Sequence, residues 1–263
     1  MAAQMHSRDN ERVKALCRLM KSSTARKSEK KFLLEGVRLC YDACISGHPI
    51  EQVLYTSEAA RRYAQQLSAL RAAAQETVEI SEAVASKLSD TVRPQGVFAL
   101  CGTAGVLRRP ETAEAGRYLV LERLQDPGNV GTVLRTAAAL GADGLFLTED
   151  CADLFSPKVT RSAMGALFRL PLYACASAEQ AVECLHARSV RCYAAVADEQ
   201  APPLDGSRLE RAAVLIGNEG SGLTAGAVAA CDGCLTIPMR QGVESLNAAV
   251  SAAIVLWEML KLT

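Results

Sequence analysis

Apolar and polar residues follow one another in short blocks whose spacing changes repeatedly along this chain. Runs of three to five apolar residues predict buried strands, and apolar positions three or four apart predict amphipathic helices. In the first hundred residues these patterns predict strands at 32–35, 52–56, 78–80 and 97–101, and helices at 7–22, 37–45, 59–74 and 81–88. This order predicts a small α/β sandwich over residues 1–102.

A second series of α/β elements follows residues 103–116, where Gly, Pro and Thr without periodicity indicate a linker. The predicted strands are 118–121, 144–148, 171–173, 191–195, 213–216 and 235–237, and the predicted helices are 129–140, 157–167, 178–186, 225–231 and 245–260. Short apolar strands that alternate with helices predict a parallel sheet covered on both faces, over residues 117–263.

Charge is unevenly distributed, although the 263 residues have a formal net charge of zero. Residues 8–38 contain ten basic and four acidic residues, so this segment carries +6. Such a segment favours contact with phosphate-rich partners, and the alternative is a solvated amphipathic helix. Aromatic residues make up only 5% of the chain, which gives little support to recognition by base stacking.

Cysteine and histidine usage argues against a metal site. Of ten cysteines, only Cys231 and Cys234 have C-x-x-C spacing, and the three histidines, His6, His48 and His186, are scattered. Neither a secretory signal nor an apolar run of the roughly 20 residues that span a membrane is present. We therefore expect free, mostly apolar cysteines, a reducing cytoplasmic setting, and neither metal nor membrane.

Common nucleotide-binding and hydrolase motifs are missing from the sequence. There is no G-x-x-x-x-G-K-[ST] loop, no complete G-x-G-x-x-G fingerprint after a strand and no G-x-S-x-G elbow. A nicotinamide-dependent oxidoreductase is therefore disfavoured.

Three polar stretches could instead carry chemistry. In the first, Asn129 can cap a helix, and Arg135 follows on the same, otherwise apolar helix. An arginine in such a place usually pairs with a carboxylate or a phosphate, and the alternative is that it forms a structural salt bridge. The second, GNEGSG at 217–222, follows a strand and contains Glu219, which could bind a ligand or simply be solvated in a tight turn. The third places Ser245 and Asn247, beside Glu244, at the start of the last helix, where one of them would suffice as a cap.

Together these stretches resemble a known family. Asn129 with Arg135, the sequence IGNEGSGL, and IPM followed by ESLN before an Ala-rich helix resemble the three motifs of the SpoU (TrmH) branch of the SPOUT RNA methyltransferases. The N-terminal sequences SRDNERVKAL, RKSEKKFLLEG and RPQGVFAL resemble the ribosomal-protein-like RNA-binding domain that often precedes it.

The resemblance implies S-adenosylmethionine-dependent methylation of a ribose 2′-hydroxyl in RNA by a homodimer whose C-terminal domain forms a deep trefoil knot. It implies a catalytic set of Asn129, Arg135, Glu219, Ser245 and Asn247. It also implies that the cofactor lies against the main chain near Gly217, Ile237 and Leu246, with Met239 close by. Since a guanidinium stays protonated in proteins, we expect Arg135 to stabilise the developing alkoxide or to hold a phosphate; deprotonation during transfer is the alternative.

The RNA itself is less closely specified. The extra N-terminal domain favours ribosomal RNA over transfer RNA, with Arg26, Lys27, Arg93 and Gln95 as candidate contacts. The segment 156–171 follows the family pattern, except that Ala163 replaces a hydroxyl-bearing residue. A non-catalytic RNA-binding or ribosome-assembly factor with a vestigial cofactor pocket is the alternative from another functional class.

Overall fold

The computed structural model describes residues 3–5, 7–240, 242 and 245–261. His6 and Glu244, considered above, lie outside the described residues. Contacts divide the chain into two units, which are described separately: unit 1 comprises residues 1–104 and 153–168, and unit 2 comprises residues 105–152 and 169–263.

The strands in chain order are β1 Ala3–Met5, β2 Lys31–Glu35, β3 Ile50–Tyr55, β4 Ala74–Ile80, β5 Val97–Gly102, β6 Leu107–Arg108, β7 Tyr118–Leu121, β8 Gly144–Thr148, β9 Leu172–Cys175, β10 Arg191–Ala195, β11 Ala212–Ile216 and β12 Gly233–Leu235. The α-helices are α1 Glu11–Lys21, α2 Ser23–Glu29, α3 Val37–Ile45, α4 Ser57–Arg62, α5 Ala64–Ala73, α6 Glu82–Leu88, α7 Pro127–Leu140, α8 Pro157–Ala163, α9 Ala178–His186, α10 Ala225–Ala230 and α11 Ala248–Leu260.

Unit 1 contains a five-stranded mixed sheet in the order β1-β4-β3-β5-β2. Strands β1, β4 and β3 are parallel, whereas β5 runs antiparallel to both of its neighbours. Helices α1 and α6 bury their apolar residues, Leu16 and Val84 among them, against Leu54 and Phe98 of the sheet. The side chain of Phe32 lies near the rings of Phe155 and Phe168, so the segment 153–168 contributes to the core of this unit.

Unit 2 contains a seven-stranded sheet in the order β12-β10-β11-β7-β8-β9-β6, and every pairing in it is parallel. Tyr118, Val120 and Leu215 belong to a buried cluster that also contains apolar residues of α9 and α10. Helix α11 packs against α7 and β11. The predicted α/β fold with a parallel sheet is confirmed.

The helices differ from the predicted ones at several boundaries. The basic stretch after α1 is itself helical: Ser22 caps α2 by accepting a hydrogen bond from the N–H of Ala25. Helix α8 ends at Ala163, four residues before the predicted end, because Met164 adopts a left-handed conformation with φ of 49°. These ends depend on caps and single backbone angles, which apolar periodicity does not encode.

Two segments fold differently from the predicted domain plan. Within residues 103–116, expected to form a linker, Leu107 pairs with Leu172 in the sheet of unit 2. The carbonyl oxygens of Glu111 and Ala113 accept hydrogen bonds from Arg188 in the same unit. The segment 153–168 lies in unit 1, although the strands on either side of it belong to unit 2. The assignment of residues 1–102 and 117–263 as functional domains stays a prediction.

The cysteines form no disulfides, and the described residues contain neither a metal-binding group nor a helix that could span a membrane. All ten cysteines are free. Burial and the neighbouring Cys234 raise the pKa of Cys231 to about 12, which keeps that thiol protonated. No group of three or more His, Cys, Asp or Glu side chains in the described ranges could hold a metal ion. In the same ranges, every helix is too short or too polar to cross a bilayer.

Candidate active site

The chain changes winding direction between β7 and β11. From β7 the sheet grows through β8 to β9 on one side, whereas the later strands β10, β11 and β12 lie on the other. Ligands of open parallel sheets bind at such switch points, outside the carboxyl ends of the strands. The polar stretch with Asn129 follows β7, and the stretch with Glu219 follows β11, so both lie at this switch point.

The stretch after β7 is held in place by a helix cap. The side chain of Asp126 accepts a hydrogen bond of 2.8 Å from the backbone N–H of Asn129, and Pro127 occupies the first helical position of α7. The predicted cap was Asn129, but Asp126 performs that role. This leaves the Asn129 side chain available for contacts beyond its own helix.

The stretch after β11 forms a tight turn organised by Asn218. Backbone hydrogen bonds of 2.9 and 3.1 Å join Asn218 and Gly222 in both directions. The Asn218 side chain accepts from the N–H groups of Gly220 and Ser221 and donates to the carbonyl oxygen of Arg123. A Cβ atom on Gly217 would lie 2.2 Å from the Gly222 backbone, so this turn closes only around a glycine.

Glu219 connects these two stretches. Its carboxylate accepts hydrogen bonds from Asn129 Nδ2 at 3.0 Å, from the Asp126 N–H at 3.0 Å and from the Gln125 N–H at 3.2 Å. Burial by itself would raise the pKa of Glu219, but these hydrogen bonds together lower the pKa below its usual value. Glu219 is therefore a charged hydrogen-bond acceptor at neutral pH.

Asn247 adds the third stretch to the same network. Its Nδ2 donates to Asn129 Oδ1 at 3.1 Å, and its Oδ1 caps α11 by accepting from the N–H groups of Ala249 and Val250. Glu219, Asn129 and Asn247 thus form one chain of hydrogen bonds. Ser245 is exposed two residues before the cap, and it makes no hydrogen bond with the described part of the chain.

Arg135 is not part of this network. It lies six residues after Asn129 on α7, about 9 Å further along the helix axis. Its side chain is exposed on the same helix face as Thr132 and Ala139. Among the described residues it has neither a hydrogen-bond nor an ion-pair partner, so the structural salt bridge considered for it is not formed there.

That face of α7 adjoins an apolar surface of α11. Val250, Ile254 and Trp257 are spaced along one side of α11 and are 48%, 36% and 60% exposed. With Asn129 and Asn247 at one end, they line an open cavity of about 460 Å³. Adjacent exposed apolar side chains of this size mark an interaction surface.

The four residues expected at the cofactor lie on loops. Gly217 follows β11, Ile237 and Met239 follow β12, and Leu246 directly precedes the Asn247 cap; all four are partly buried. In the hydrogen-bond network of the described residues, the N–H groups of Gly217, Ile237 and Leu246 donate no bond. Partly buried backbone donors at the carboxyl ends of parallel strands fit the polar edge of an adenosine-containing cofactor.

The predicted RNA contacts separate into two kinds. Arg26 is only 5% exposed: it forms an ion pair of 2.7 Å with Asp153 and donates to the carbonyl oxygens of Leu19 and Met20. This burial argues against the prediction of Arg26 as an RNA contact, because its guanidinium is engaged by groups of unit 1. Lys27 and Arg93 are exposed, whereas Gln95 accepts a hydrogen bond of 2.9 Å from the N–H of Val37 at the start of α3.

Two supporting residues escaped the sequence analysis. Asn218 shapes the glycine-rich turn, and buried Glu122 accepts hydrogen bonds of 2.8 and 2.7 Å from the N–H and hydroxyl of Thr224, the cap of α10. Glu122 directly follows the apolar run of β7. A carboxylate at the end of a buried strand is the feature of the sequence that could have identified this residue.

Comparison with known proteins decides the family. The model of the SpoU rRNA Methylase family matches residues 116–257, which include all three stretches of the network, and the model of the MRM3-like substrate binding domain matches residues 10–99. The chain belongs to the SpoU rRNA methylase family. The resemblance predicted from the motifs is confirmed.

Some relatives of this SpoU family member align along nearly its whole length. The 23S rRNA (guanosine(2553)-2′-O)-methyltransferase RlmP of Bacillus subtilis is 31% identical over 97% of this chain and 98% of its own. The 23S rRNA (uridine(2479)-2′-O)-methyltransferase of Streptomyces viridochromogenes is 30% identical over 99% and 93%. A crystal structure of an AdoMet-bound rRNA methyltransferase from Sinorhizobium meliloti superposes with a TM-score of 0.86 at 26% identity, over 99% of this chain and 98% of that one.

Proposed function

We propose that this protein transfers a methyl group from S-adenosylmethionine to the 2′-hydroxyl of a ribose in ribosomal RNA. The observation that carries the proposal is the hydrogen-bonded chain of Glu219, Asn129 and Asn247. It joins three sequence-distant stretches at the switch point of a parallel sheet. Membership of the SpoU family and full-length relatives named as rRNA 2′-O-methyltransferases support the same activity.

The cofactor would be held mainly by the backbone. The N–H groups of Gly217, Ile237 and Leu246, which donate no bond among the described residues, would bind its adenosine part, and Met239 would pack beside it. S-adenosylmethionine, when bound, supplies a methyl group activated by the adjacent sulfonium charge. The protein then has two tasks: to align the ribose oxygen with that methyl group and to stabilise the charge that develops on the oxygen.

Arg135 would perform the second task. A guanidinium that stays protonated can donate a hydrogen bond to the developing alkoxide or hold the neighbouring phosphate. Glu219 and Asn129 would orient the ribose with Asn247, and exposed Ser245 would offer a hydroxyl to the same substrate. Because Arg135 makes no contact with this network among the described residues, we propose that the two meet across a dimer.

A second copy of the chain would cover the α7–α11 face. Three observations support a homodimer: Trp257, Ile254 and Val250 form an exposed apolar stripe, Arg135 on the adjoining face has no partner among the described residues, and the stripe ends at Asn129 and Asn247. Burying such a stripe would stabilise the dimer and bring the partner copy's guanidinium towards the network. We also propose that the C-terminal part of unit 2 forms a trefoil knot and that the protein is cytoplasmic.

Residues 1–102 would form the RNA-binding α/β sandwich and residues 117–263 the methyltransferase domain. The match of the MRM3-like substrate binding domain to residues 10–99 supports the first assignment, with Lys27, Arg93 and Gln95 as candidate RNA contacts. Ribosomal RNA is favoured over transfer RNA by the names of the full-length relatives. A non-catalytic RNA-binding factor is disfavoured, because every polar residue of the motif set is retained.

Methyl transfer is tested with purified protein, S-adenosylmethionine carrying a labelled methyl group, and ribosomal RNA from cells that lack the gene. We expect label in the RNA and one 2′-O-methylated position that is present only when the protein is expressed. Binding of S-adenosylmethionine without transfer to either ribosomal or transfer RNA would instead favour the assembly-factor alternative.

A further inference from the structure

A cavity of about 360 Å³ lies within unit 1. It is formed by the start of α3, the loop that precedes β5 and the segment that contains α8. Its volume falls in the range of pockets that hold one small ligand. The proposed methyl transfer does not use this cavity.

Arg161 of α8 lines the cavity with an unsatisfied donor. Its Nη2 donates to Asp90 Oδ2 at 2.7 Å, and its Nη1 lies 3.6 Å from Glu35 Oε2. Nη1 is buried, and among the described residues it has no hydrogen-bond acceptor. A buried donor without an acceptor is destabilising, so this site gains stability when an acceptor enters the cavity.

Glu35 does not supply that acceptor, because its Oε2 lies 3.6 Å from Nη1, beyond hydrogen-bond distance, and its carboxylate instead holds the loop before β5. It is 8% exposed and accepts hydrogen bonds from the hydroxyls of Ser89 and Thr91 and from the N–H of Asp90. The loop and Arg161 are thereby fixed around one buried carboxylate. The polar groups of the cavity wall are therefore already held in position before any ligand binds.

The rim of the cavity adds two further cations. Arg38 and Arg93 are exposed and line the cavity, and neither has a hydrogen-bond or ion-pair partner in the described part of the chain. Arg161 is already paired with Asp90 and lies near Glu35, so Arg38 and Arg93 are the two lining guanidinium groups left to bind a ligand. Guanidinium groups donate hydrogen bonds to the phosphate and base acceptors of RNA.

The cavity also has an apolar part, and its polar edge is tightly closed. Leu39 and Met164 line it beside the arginines. The Gln95 side chain covers the start of α3, and Gly36, with φ of 101°, permits this approach: a Cβ atom there would lie 3.2 Å from Gln95 Oε1. A flat apolar group edged with hydrogen-bond acceptors would therefore fit between the apolar and the cationic walls.

We propose that this cavity binds one unpaired nucleotide of the RNA substrate. The base of this nucleotide would pack on Leu39 and Met164, and acceptor atoms of the nucleotide would accept hydrogen bonds from Arg161, Arg93 and Arg38. A base inside a duplex is stacked and paired and cannot enter such a cavity, so recognition would select a loop, bulge or end of the RNA. The inference rests on the proposed RNA-methylating function and adds the structural class of RNA that unit 1 selects.

The test compares single-stranded with double-stranded RNA, using the full chain. Fluorescence anisotropy would give the Kd for an unstructured RNA heptamer and for the same sequence in a blunt duplex. We expect Arg161→Met to weaken heptamer binding about tenfold or more and Arg93→Gln about threefold, as loss of hydrogen bonds to charged groups implies. Duplex binding should change less than about twofold in both variants.

Arg61→Gln is the matched control, because Arg61 is an exposed arginine of unit 1 that does not line the cavity. It should change heptamer binding less than about twofold. Equal losses in all three variants, or equal losses for heptamer and duplex, would overturn the proposal. Adenosine monophosphate should compete with the heptamer; inorganic phosphate competing equally well would reduce the cavity to an anion site and also refute it.

Failure of this inference is distinguishable from failure of the proposed function. If the wild-type protein methylates ribosomal RNA while Arg161→Met and Arg93→Gln bind the heptamer like the wild type, only the cavity proposal fails. If the wild type transfers no methyl group, the proposed function fails, and the heptamer measurements still decide the cavity. Since Arg93 is exposed, its variant keeps the test valid even where Arg161→Met unfolds the protein.

Discussion

Replacing Glu219 with glutamine tests whether the charged carboxylate holds the three stretches together. Glutamine retains one acceptor oxygen and places an NH₂ group where the second oxygen accepted hydrogen bonds from the backbone N–H of Gln125 and from Asn218. The bonds that remain, from Asp126 or Asn129, lose their charge-assisted character.

The expected loss follows from these contacts. Hydrogen bonds to charged groups contribute about 1.5–3 kcal/mol each, and neutral ones about half as much. Because Glu219 is exposed, water compensates for part of the difference, and we expect the free energy of unfolding to fall by about 1 kcal/mol near pH 7.

The pH dependence gives this prediction its sign. Hydrogen bonds lower the pKa of Glu219 in the folded protein, so its carboxylate stabilises the fold above the unfolded-state pKa of about 4.3. That stabilisation is lost as the pH falls through the lower folded-state pKa. The difference between the wild type and Glu219→Gln should therefore be full near pH 7 and should shrink below about pH 4.

Urea unfolding followed by Trp257 fluorescence measures the effect, because this single tryptophan lies in the same unit as Glu219. Glu114→Gln, at an exposed glutamate of that unit, is the control and should change stability by less than about 0.5 kcal/mol. A loss for Glu219→Gln that is as large near pH 3.5 as near pH 7 would refute the role of the ionised carboxylate.

Three further outcomes are expected. Arg135→Lys should retain about 1–10% of the methyl-transfer kcat and Arg135→Met less than about 0.1%, because lysine keeps the charge but not the planar fork; equal losses would argue against a charge role. If the proposed dimer forms through the α7–α11 face, Trp257→Glu should give monomers in sedimentation velocity and abolish transfer without loss of fold by circular dichroism, and a variant that stays dimeric would exclude this face. Arg26→Gln should lower the free energy of unfolding by about 3 kcal/mol, because it leaves Asp153 without its partner. Lys27→Gln should leave stability unchanged and reduce the salt dependence of RNA binding by about one charge. A loss of stability in both variants, or in neither, would contradict these assignments.

Much of the fold follows from local patterns, and the pairing of strands does not. The strands β7, β8 and β11 were predictable because runs of three to five consecutive apolar residues are typical of short strands buried on both faces of a sheet. The position of β10 between β11 and β12 was not, since strand order depends on contacts between residues far apart in sequence. The short β6 has exposed residues and lacks the apolar pattern that predicts a strand.

The candidate site shows the same division. The motifs brought Asn129, Glu219 and Asn247 to attention, and the structure joins these three by hydrogen bonds. Sequence reasoning missed that backbone N–H groups bind Glu219, because every residue carries such a group and only the fold decides which are free. It also treated the basic residues at 26 and 27 alike, whereas burial of Arg26 depends on Asp153, 127 positions later.

The segment 153–168 has a consequence for how the chain is synthesised. Phe32 in β2 packs near Phe155 and Phe168, and buried Arg26 awaits Asp153. During translation the first 104 residues therefore emerge without the side chains that complete their core. Unit 1 can complete its core only after residues 153–168, and with them β7, α7 and β8 of unit 2, have left the ribosome.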